Sequence, residues 1–386
     1  NVSPLAVYRR AAKADSVQQR RPNVVLIMME SMSAKFMKHF GQSETLTPFL
    51  DSLYTRSISF RNFYSAGIHT NHGLYATLYS FPAMMKRNLM KGSVIPRYSG
   101  LPTVLKENGY YNLFFMTHEG QYDNMNAFFR TNGYDEVFSQ EDYPADKVVN
   151  SFGVQDDFLY DYAIPVLNQR AATGQPFFAT LLSISNHPPY VIPPFFHPKT
   201  SEPETQIVEY ADWALRQFFE EARKQPWFDN TIFVLEGDHG KLVGDAECEL
   251  PESYNHIPLM IYSSRIQPEE KTTFGGQVDI QPTILGLLNI DYLQNNFGVD
   301  LLKEERPCMF YTADNMVVGR NDTLLYLYNY ETQQELTYDI GNGKLNAVPM
   351  DDSFLPLKEY SFSMLQSAEF LVKHGKTLNS IPFTQQ

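Results

Sequence analysis

Five short, continuously apolar runs constrain this chain more than any other feature. Asn23–Met29 (NVVLIMM) follows Pro22, and Tyr110–Met116 (YYNLFFM), Pro176–Ile184 (PFFATLLSI), Thr231–Leu235 (TIFVL) and Ile257–Tyr262 (IPLMIY) repeat the pattern. A strand without polar alternation has no face to turn to water, so each run reads as a strand buried on both sides. The segments between them carry helix signals. Thr47–Tyr54 opens on Thr-Pro and Leu101–Asn108 stops at Gly109; Asp156–Asn168, Thr205–Lys224 and Asp279–Leu288 are the other helices expected. Strands alternating with helices predict an α/β fold, a mostly parallel sheet flanked by helices. From about Pro307 the texture changes to short pieces, CMFYTA, DTLLYLYNY and QELTYDI, separated by Gly, Asn and Asp and followed by a helix near Tyr360–His374. These predict a small C-terminal antiparallel-sheet subdomain. The expected divisions are a linker at 1–21, a main domain at 22–300 and the subdomain at 301–386.

A chain of 386 residues can build such a core without a disulfide framework. Its two cysteines, Cys248 and Cys308, lack the C-x-x-C spacing of a thiolate metal site and read as separate thiols, with a single disulfide between them as the alternative. With 31 basic against 44 acidic side chains, the net charge of -13 argues against a nucleic-acid partner, which needs a basic surface to displace counterions. It leaves phosphorylated substrates open, because a bound cation can dominate the local field. No run is apolar for long enough to span a bilayer. Asn1–Arg21 is polar, carries Arg9, Arg10, Lys13, Arg20 and Arg21, and reads as a juxtamembrane or linker segment of a longer protein, with a frayed terminus as the alternative.

Working residues of open α/β sheets gather where loops leave the carboxyl ends of strands. Glu30 directly follows the first apolar run, His118 follows the second in FFMTHEG, and Asp238 and His239 follow the fourth in LEGDHG. In Gly-Asp-His-Gly the glycines free the backbone, while carboxylate and imidazole supply the O and N ligands that zinc or manganese accepts. A capped, hydrogen-bonded turn is the competing reading. The segment Gly67–Gly73 (GIHTNHG) leads into LYATLYS and puts Thr70 near a helix N-terminus, where free N–H groups and the helix dipole favour a phosphate or alkoxide. A free threonine hydroxyl is a poor nucleophile, and a metal is one of few ways to activate it near neutral pH. Alone, Thr70 reads as a helix cap. In the company of Glu30, Asp238 and His239 it reads as a nucleophile.

NVVLIMMES (23–31), LTPFLDSL (46–53), FRNFY (60–64), TNHGLYATLYSFP (70–82), FATLLSISNHPPY (178–190), EGDHG (236–240) and NHIPLMIY (255–262) resemble, in this order, the sulfatase-type domain of lipoteichoic acid synthases. These belong to the alkaline phosphatase-like superfamily, and the resemblance covers roughly residues 22–290. It implies an alkaline phosphatase/sulfatase-like catalytic domain. It also implies one divalent ion, usually manganese with zinc or magnesium as alternatives, held by Glu30, Thr70, Asp238 and His239. Thr70 would take glycerophosphate from a phospholipid such as phosphatidylglycerol and pass it, through a phospho-threonine, to a hydroxyl acceptor on a glycolipid or glycan. His187 matches a substrate-phosphate histidine and His118 another; Arg130, His256 and Asn71 complete the candidate substrate-binding set. Relatives of this kind hold the domain outside the cytoplasmic membrane, behind transmembrane helices.

One stretch departs from the pattern. Acidic, aromatic and arginine residues that grip glycerol phosphate should follow His118 closely. Here Glu119, Tyr122, Asp123, Asn124, Met125 and, later, Arg130 stand at other spacings, so the head-group pocket is expected to differ. Rivals within the superfamily are a phosphoethanolamine transferase, whose members tend to carry several disulfides, and a phosphodiesterase or sulfatase-like hydrolase. A sulfatase needs Cys or Ser in a C/S-x-P/A-x-R stretch, which Thr70–Leu74 (TNHGL) lacks. A non-catalytic binding or sensing domain is the rival from another class, and the intact Glu30–Thr70–Asp238–His239 quartet argues against it.

Overall fold

Successive side chains of a strand point to opposite faces, so an all-apolar strand has to be covered twice. The strand β2 (Asn23–Met29) shows the solution: Val24, Leu26 and Met28 enter one core, and Val25, Ile27 and Met29 enter another. The computed structural model describes residues 7–9 and 21–379, so most of the expected 1–21 linker lies outside the described residues. Within it, β2 sits inside an eight-stranded sheet. The spatial order is β11 (Glu269–Gly276), β3 (Ile58–Tyr64), β10 (Leu259–Tyr262), β9 (Thr231–Gly237), β2, β8 (Phe177–Leu182), β4 (Tyr111–Phe115) and β5 (Glu136–Phe138). Register keeps the two faces separate. Val24 lies opposite both Ile232 and Phe178, and all three belong to the same core.

Helices cover the two faces. On the first, α2 (Thr70–Tyr79), α3 (Leu101–Glu107), α4 (Met125–Thr131) and α7 (Ile280–Leu287) bury Leu74, Val104, Phe128 and Ile284. On the second, α1 (Pro48–Tyr54), α5 (Asp156–Ala172) and α6 (Pro203–Ala222) bury Leu50, Leu159 and Phe218. Each such side chain removed from water contributes about 1.5–3 kcal/mol before entropy is counted. The sheet is mixed rather than wholly parallel, because β10 runs antiparallel to both neighbours. Its link from β9 holds only the single 3-10 turn Glu252–Tyr254, and without a crossover helix the chain returns in the opposite direction.

The expected small antiparallel sheet follows as a meander of β13 (Met309–Thr312), β14 (Met316–Arg320), β15 (Leu324–Asn329), β16 (Gln334–Gly341) and β17 (Lys344–Ala347). The closing helix α8 (Leu355–Lys373) packs on it and also sends Leu365, Ala368 and Leu371 into the first main core. Two short ribbons complete the strands: β1 (Val7–Arg9) with β12 (Tyr292–Gln294), and β6 (Val148–Asn150) with β7 (Gly153–Val154). Cys248 and Cys308 are free. Among the described residues no helix is long and apolar enough to cross a membrane.

Two buried carboxylates outside the rim hold these layers together. Asp279, fully buried, receives Arg306 through Nε at 3.0 Å and Nη2 at 2.6 Å, while Arg306 Nη1 donates to the Tyr360 hydroxyl of α8 at 2.6 Å. Arg306→Met should cost about 3–5 kcal/mol in urea unfolding, since it strands a buried charge. A loss below about 1 kcal/mol would show that the pair is not what joins the subdomain. Asp212 of α6 accepts from the Phe49 and Leu50 N–H groups of α1, both at 2.9 Å, and burial pushes it up to about 7. Its folded value lies above its unfolded one, so its stabilising contribution is full at acid pH and is lost as pH rises towards that value. Asp212→Asn should flatten the stability profile in this window, as read by denaturant unfolding at a series of pH values.

Candidate functional site

Strands β9, β2, β8 and β4 run parallel side by side, so the loops leaving their carboxyl ends share one rim. Met29 of β2 pairs with Gly237 of β9, and the next residues are Glu30 and Asp238. The two carboxylates therefore leave the sheet level with one another. Ser31 then takes φ +52, a left-handed conformation that costs a serine energy and marks a constrained turn. Its N–H donates to Asp238 Oδ1 at 2.8 Å, its hydroxyl donates to Glu30 Oε1 at 2.7 Å, and Asn186 Nδ2 donates to its carbonyl at 3.2 Å. From the β8 side, Ser183 Oγ accepts from the Glu30 N–H at 2.9 Å.

His239 is oriented by the backbone of the next residue. Nδ1 donates to the Gly240 carbonyl at 2.7 Å, which leaves the neutral ring a lone pair on Nε2. Nε2 lies 3.6 Å from Glu30 Oε1 and 3.6 Å from Asp238 Oδ2. Thr70 opens α2, and its hydroxyl donates to Glu30 Oε2 at 3.3 Å. The helix can come this close because position 73 is glycine. A Cβ there would run into the Asp238 carbonyl and sit 3.0 Å from Gln277 Nε2.

Glu30, Asp238 and His239 each offer a ligand atom within 4.8 Å of the others. Glu30 and Asp238 are 1% and 0% exposed, and Asp238 Oδ2 has no hydrogen-bond partner. Burial first, and then the charge on Asp238, push the Glu30 carboxyl well above its ordinary range. Two adjacent buried carboxylates, one with an orphan oxygen, are costly without a cation. Together with an imidazole lone pair and a hydroxyl, they form a donor set that fits a divalent ion of the zinc or manganese kind.

The remaining candidates fall into two groups. His118 follows β4, is 2% exposed, and donates from Nδ1 to the Glu119 carbonyl at 3.0 Å; burial lowers its pKa. His187 follows β8 and donates from Nδ1 to the Pro188 carbonyl at 2.7 Å. Tyr122 and Phe152 join them into one row of rings, with centroid separations of 4.7 Å (His118–Tyr122), 6.3 Å (Tyr122–Phe152) and 4.1 Å (Phe152–His187). Asn71 is the second residue of α2, half-buried, with an unpartnered Oδ1.

Arg130 and His256 are engaged elsewhere. Arg130 bonds Asn126 Oδ1 at 2.7 Å and the Val137 carbonyl at 3.3 Å, beside β5, three strands from β2. His256 lies between Tyr64, stacked at 5.2 Å, and Phe40, and donates to the Arg61 carbonyl at 2.7 Å. Of the residues after His118, Tyr122 packs on its ring, while Asp123 pairs with Lys91 at 2.8 Å. Sequence reasoning passed over Lys241, whose ammonium donates to Asn186 Oδ1 at 2.6 Å and to the Tyr190 hydroxyl at 3.0 Å, and which burial lowers to about 8. Its place two residues after His239 was the available signal.

A family model described as Sulfatase matches residues 22–290, the stretch that carries the whole cluster. The chain belongs to the sulfatase family. This sulfatase-family chain is 25% identical over 350 residues to lipoteichoic acid synthase 1 of Bacillus subtilis, covering 83% of the chain and 53% of that protein. It is 26% identical over 322 residues to phosphoglycerol transferase I of Xanthomonas campestris, covering 78% and 46%. The chain thus spans about half the length of the curated relatives it matches. Among solved structures, a protein of the alkaline phosphatase superfamily from Vibrio parahaemolyticus superposes with a TM-score of 0.87 at 26% identity, covering 98% of this chain and 93% of that one. The lipoteichoic acid synthase LtaP of Listeria monocytogenes superposes at 0.77 and 22%, covering 91% and 92%, and shares the sulfatase-family fold.

Proposed function

We propose that this domain is a metal-dependent phospho-group transferase of the phosphoglycerol transferase type, with Thr70 as nucleophile and a phospholipid phosphodiester as donor. The observation that carries the reading is the Thr70 hydroxyl beside the buried Glu30–Asp238–His239 donor set. Those four residues would hold one divalent ion, manganese by resemblance, with zinc or magnesium as alternatives. Such an ion supplies Lewis-acid charge that lowers the pKa of a hydroxyl and offsets charge on transferring oxygens.

The chain's own groups do the rest. Thr70 Oγ forms a bond to the donor phosphorus as the bond from phosphorus to the diacylglycerol oxygen breaks, and the departing oxygen takes up a proton. An acceptor hydroxyl on a glycolipid or glycan then attacks the same phosphorus and frees Thr70, which regains a proton. The dipole at the start of α2 would favour the negative charge of a phosphoryl group held at Thr70. Because Nδ1 of His187 is already donating, its Nε2–H is available to phosphate only in the imidazolium form. His118, kept neutral by burial, presents Nε2 as an acceptor for a substrate hydroxyl. In the full-length protein the domain would be tethered at the outer face of the cytoplasmic membrane, where both lipid donor and acceptor are found.

Phosphatidylethanolamine as donor is the second reading, because Arg130 is bonded beside β5 and so does not serve as the arginine expected to grip glycerol phosphate. Vesicles of phosphatidylglycerol or phosphatidylethanolamine, with Mn2+ and an acceptor glycolipid, separate the two. Diacylglycerol release from phosphatidylglycerol, stopped by chelation, is expected. Release from phosphatidylethanolamine alone would move the assignment to the second reading, and release from neither would sink both.

A further inference from the structure

Gln277 has no place in the reaction as described, yet it is 1% exposed and lies against the cluster. It is the first residue after edge strand β11, whose last residue, Gly276, pairs with Tyr64, the last residue of β3. It therefore leaves the sheet level with Ser65, where the loop to Thr70 begins. Its Oε1 accepts from the Ala66 N–H at 2.9 Å, and its Nε2 donates to the Gly237 carbonyl at 3.1 Å and the Asp238 carbonyl at 2.8 Å. Both amide hydrogens and one oxygen lone pair are thus committed to two loops. One loop leads into Thr70, and the other carries Asp238 and His239.

No backbone bond runs directly between these loops; each is bonded to the segment before β10, the Ser65 N–H to the Asn255 carbonyl at 2.7 Å and the Gly240 N–H to the Tyr254 carbonyl at 2.8 Å. The loops rise from β3 and β9, and β10 lies between those strands, running the other way. The amide of Gln277 crosses that gap. The first turn of α2 rests on it as well, since a Cβ on Gly73 would lie 3.0 Å from Nε2. Ala66 is fixed from its other side, where its carbonyl accepts from the Thr312 N–H of β13 at 2.9 Å. Asn255 holds the same loop through the Ser65 and Gly67 carbonyls at 3.3 and 3.4 Å, but its bonds run to Ser65, Gly67 and Thr312 and not to Asp238.

We infer that Gln277 is a positioning residue that sets the distance between the Thr70 hydroxyl and the Asp238–His239 ligand pair. The inference rests on the reading of Thr70 as nucleophile, and it assigns Gln277 no contact with substrate. A displacement of about 1 Å at a reacting group costs on the order of 100-fold in rate, whereas a ligand set that keeps its own side chains keeps its ion.

Gln277→Met keeps the length of the side chain and removes its polar atoms. Gln277→Glu keeps the shape and an acceptor for Ala66, but sets a second oxygen against two carbonyls. Three readouts are taken on the whole chain: Mn2+ affinity by titration calorimetry, deuterium uptake of the peptide spanning Ser65–Thr70, and the rate of phospho-adduct formation on Thr70 by quenched mass spectrometry. The expected result for Gln277→Met is adduct formation slowed roughly 100-fold, with KM unchanged, Mn2+ affinity lowered far less than the rate because Glu30, Asp238 and His239 stay in place, and faster exchange in the peptide. If that variant fails to fold, the same comparison is made on Gln277→Glu. Adduct formation at the wild-type rate in a folded variant overturns the inference. So does an Mn2+ affinity that falls in step with the rate, because Gln277 would then support the ligand set as a whole. A wild-type protein that never forms the Thr70 adduct sinks the transferase reading instead, and deuterium uptake alone then decides whether Gln277 clamps the loop.

Discussion

Thr70→Ala is expected to lower transfer by about 1,000-fold or more while leaving the fold in place. The two halves of this expectation have separate causes. Thr70 Oγ is the atom proposed to bond to phosphorus, and it reaches Glu30 from the start of α2, whereas the Ser31 hydroxyl reaches Glu30 from the turn after β2. The structural contribution of Thr70, by contrast, is one hydrogen bond of 3.3 Å from a half-buried side chain at a helix terminus, so its loss costs about 1 kcal/mol or less. Turnover with a lipid donor and the thermal midpoint, measured on the same preparation, test both halves. Full turnover by a folded Thr70→Ala chain would remove threonine from the mechanism. An unfolded variant would mean that Thr70 is a structural cap after all.

The second large effect concerns the ion. At about a hundredfold excess over its Kd, Mn2+ should raise the free energy of unfolding by about 2.7 kcal/mol, because it binds the folded cluster alone. The increment should grow with pH. Burial and the neighbouring Asp238 raise the Glu30 pKa above its unfolded value, so in the metal-free chain Glu30 stabilises the fold at acid pH. That contribution is lost as pH rises through the raised value. Mn2+ needs the deprotonated carboxylates and so gains where the metal-free chain weakens. Glu30→Gln should remove both the pH slope and the Mn2+ increment, and Asp238→Asn should remove the increment. Denaturant unfolding with and without Mn2+ at several pH values reads all of these. An increment that survives Asp238→Asn would place the ion elsewhere.

Much of this was legible in the sequence, for reasons that differ from residue to residue. The strand β2 was readable to its ends because a run buried on both faces carries no polar residue after its first, Asn23, and Pro22 and Glu30 bracket it. Glu30 was readable because it directly follows such a run, Asp238 and His239 because they close the LEGDHG turn after another, and Thr70 because GIHTNHG opens a helix. The direction of β10 was not readable, since IPLMIY is equally apolar whichever way it runs and only the missing crossover helix decides. Edge strand β11 (EEKTTFGG) is half-polar and offers no apolar run, which hid the clamp that Gln277 forms beyond it. Arg130 and His256 are the counterpart. Their residue types suit a phosphate site, but Arg130 is engaged by the Val137 carbonyl of the next strand, and His256 by the Arg61 carbonyl of a strand distant in sequence. The row from His118 through Tyr122 and Phe152 to His187 is likewise a product of tertiary packing, and no local spacing announces it.

The most direct test of the account is the chemical state of Thr70 during turnover. The whole chain is mixed with Mn2+ and phosphatidylglycerol in the absence of acceptor, quenched in acid and digested, and the peptide containing Thr70 is sequenced by mass spectrometry. A glycerophosphoryl group is expected on Thr70, vanishing when acceptor glycolipid is added and never forming after chelation. Diacylglycerol release with Thr70 unmodified at every time point, or an adduct on any other residue, would contradict the mechanism.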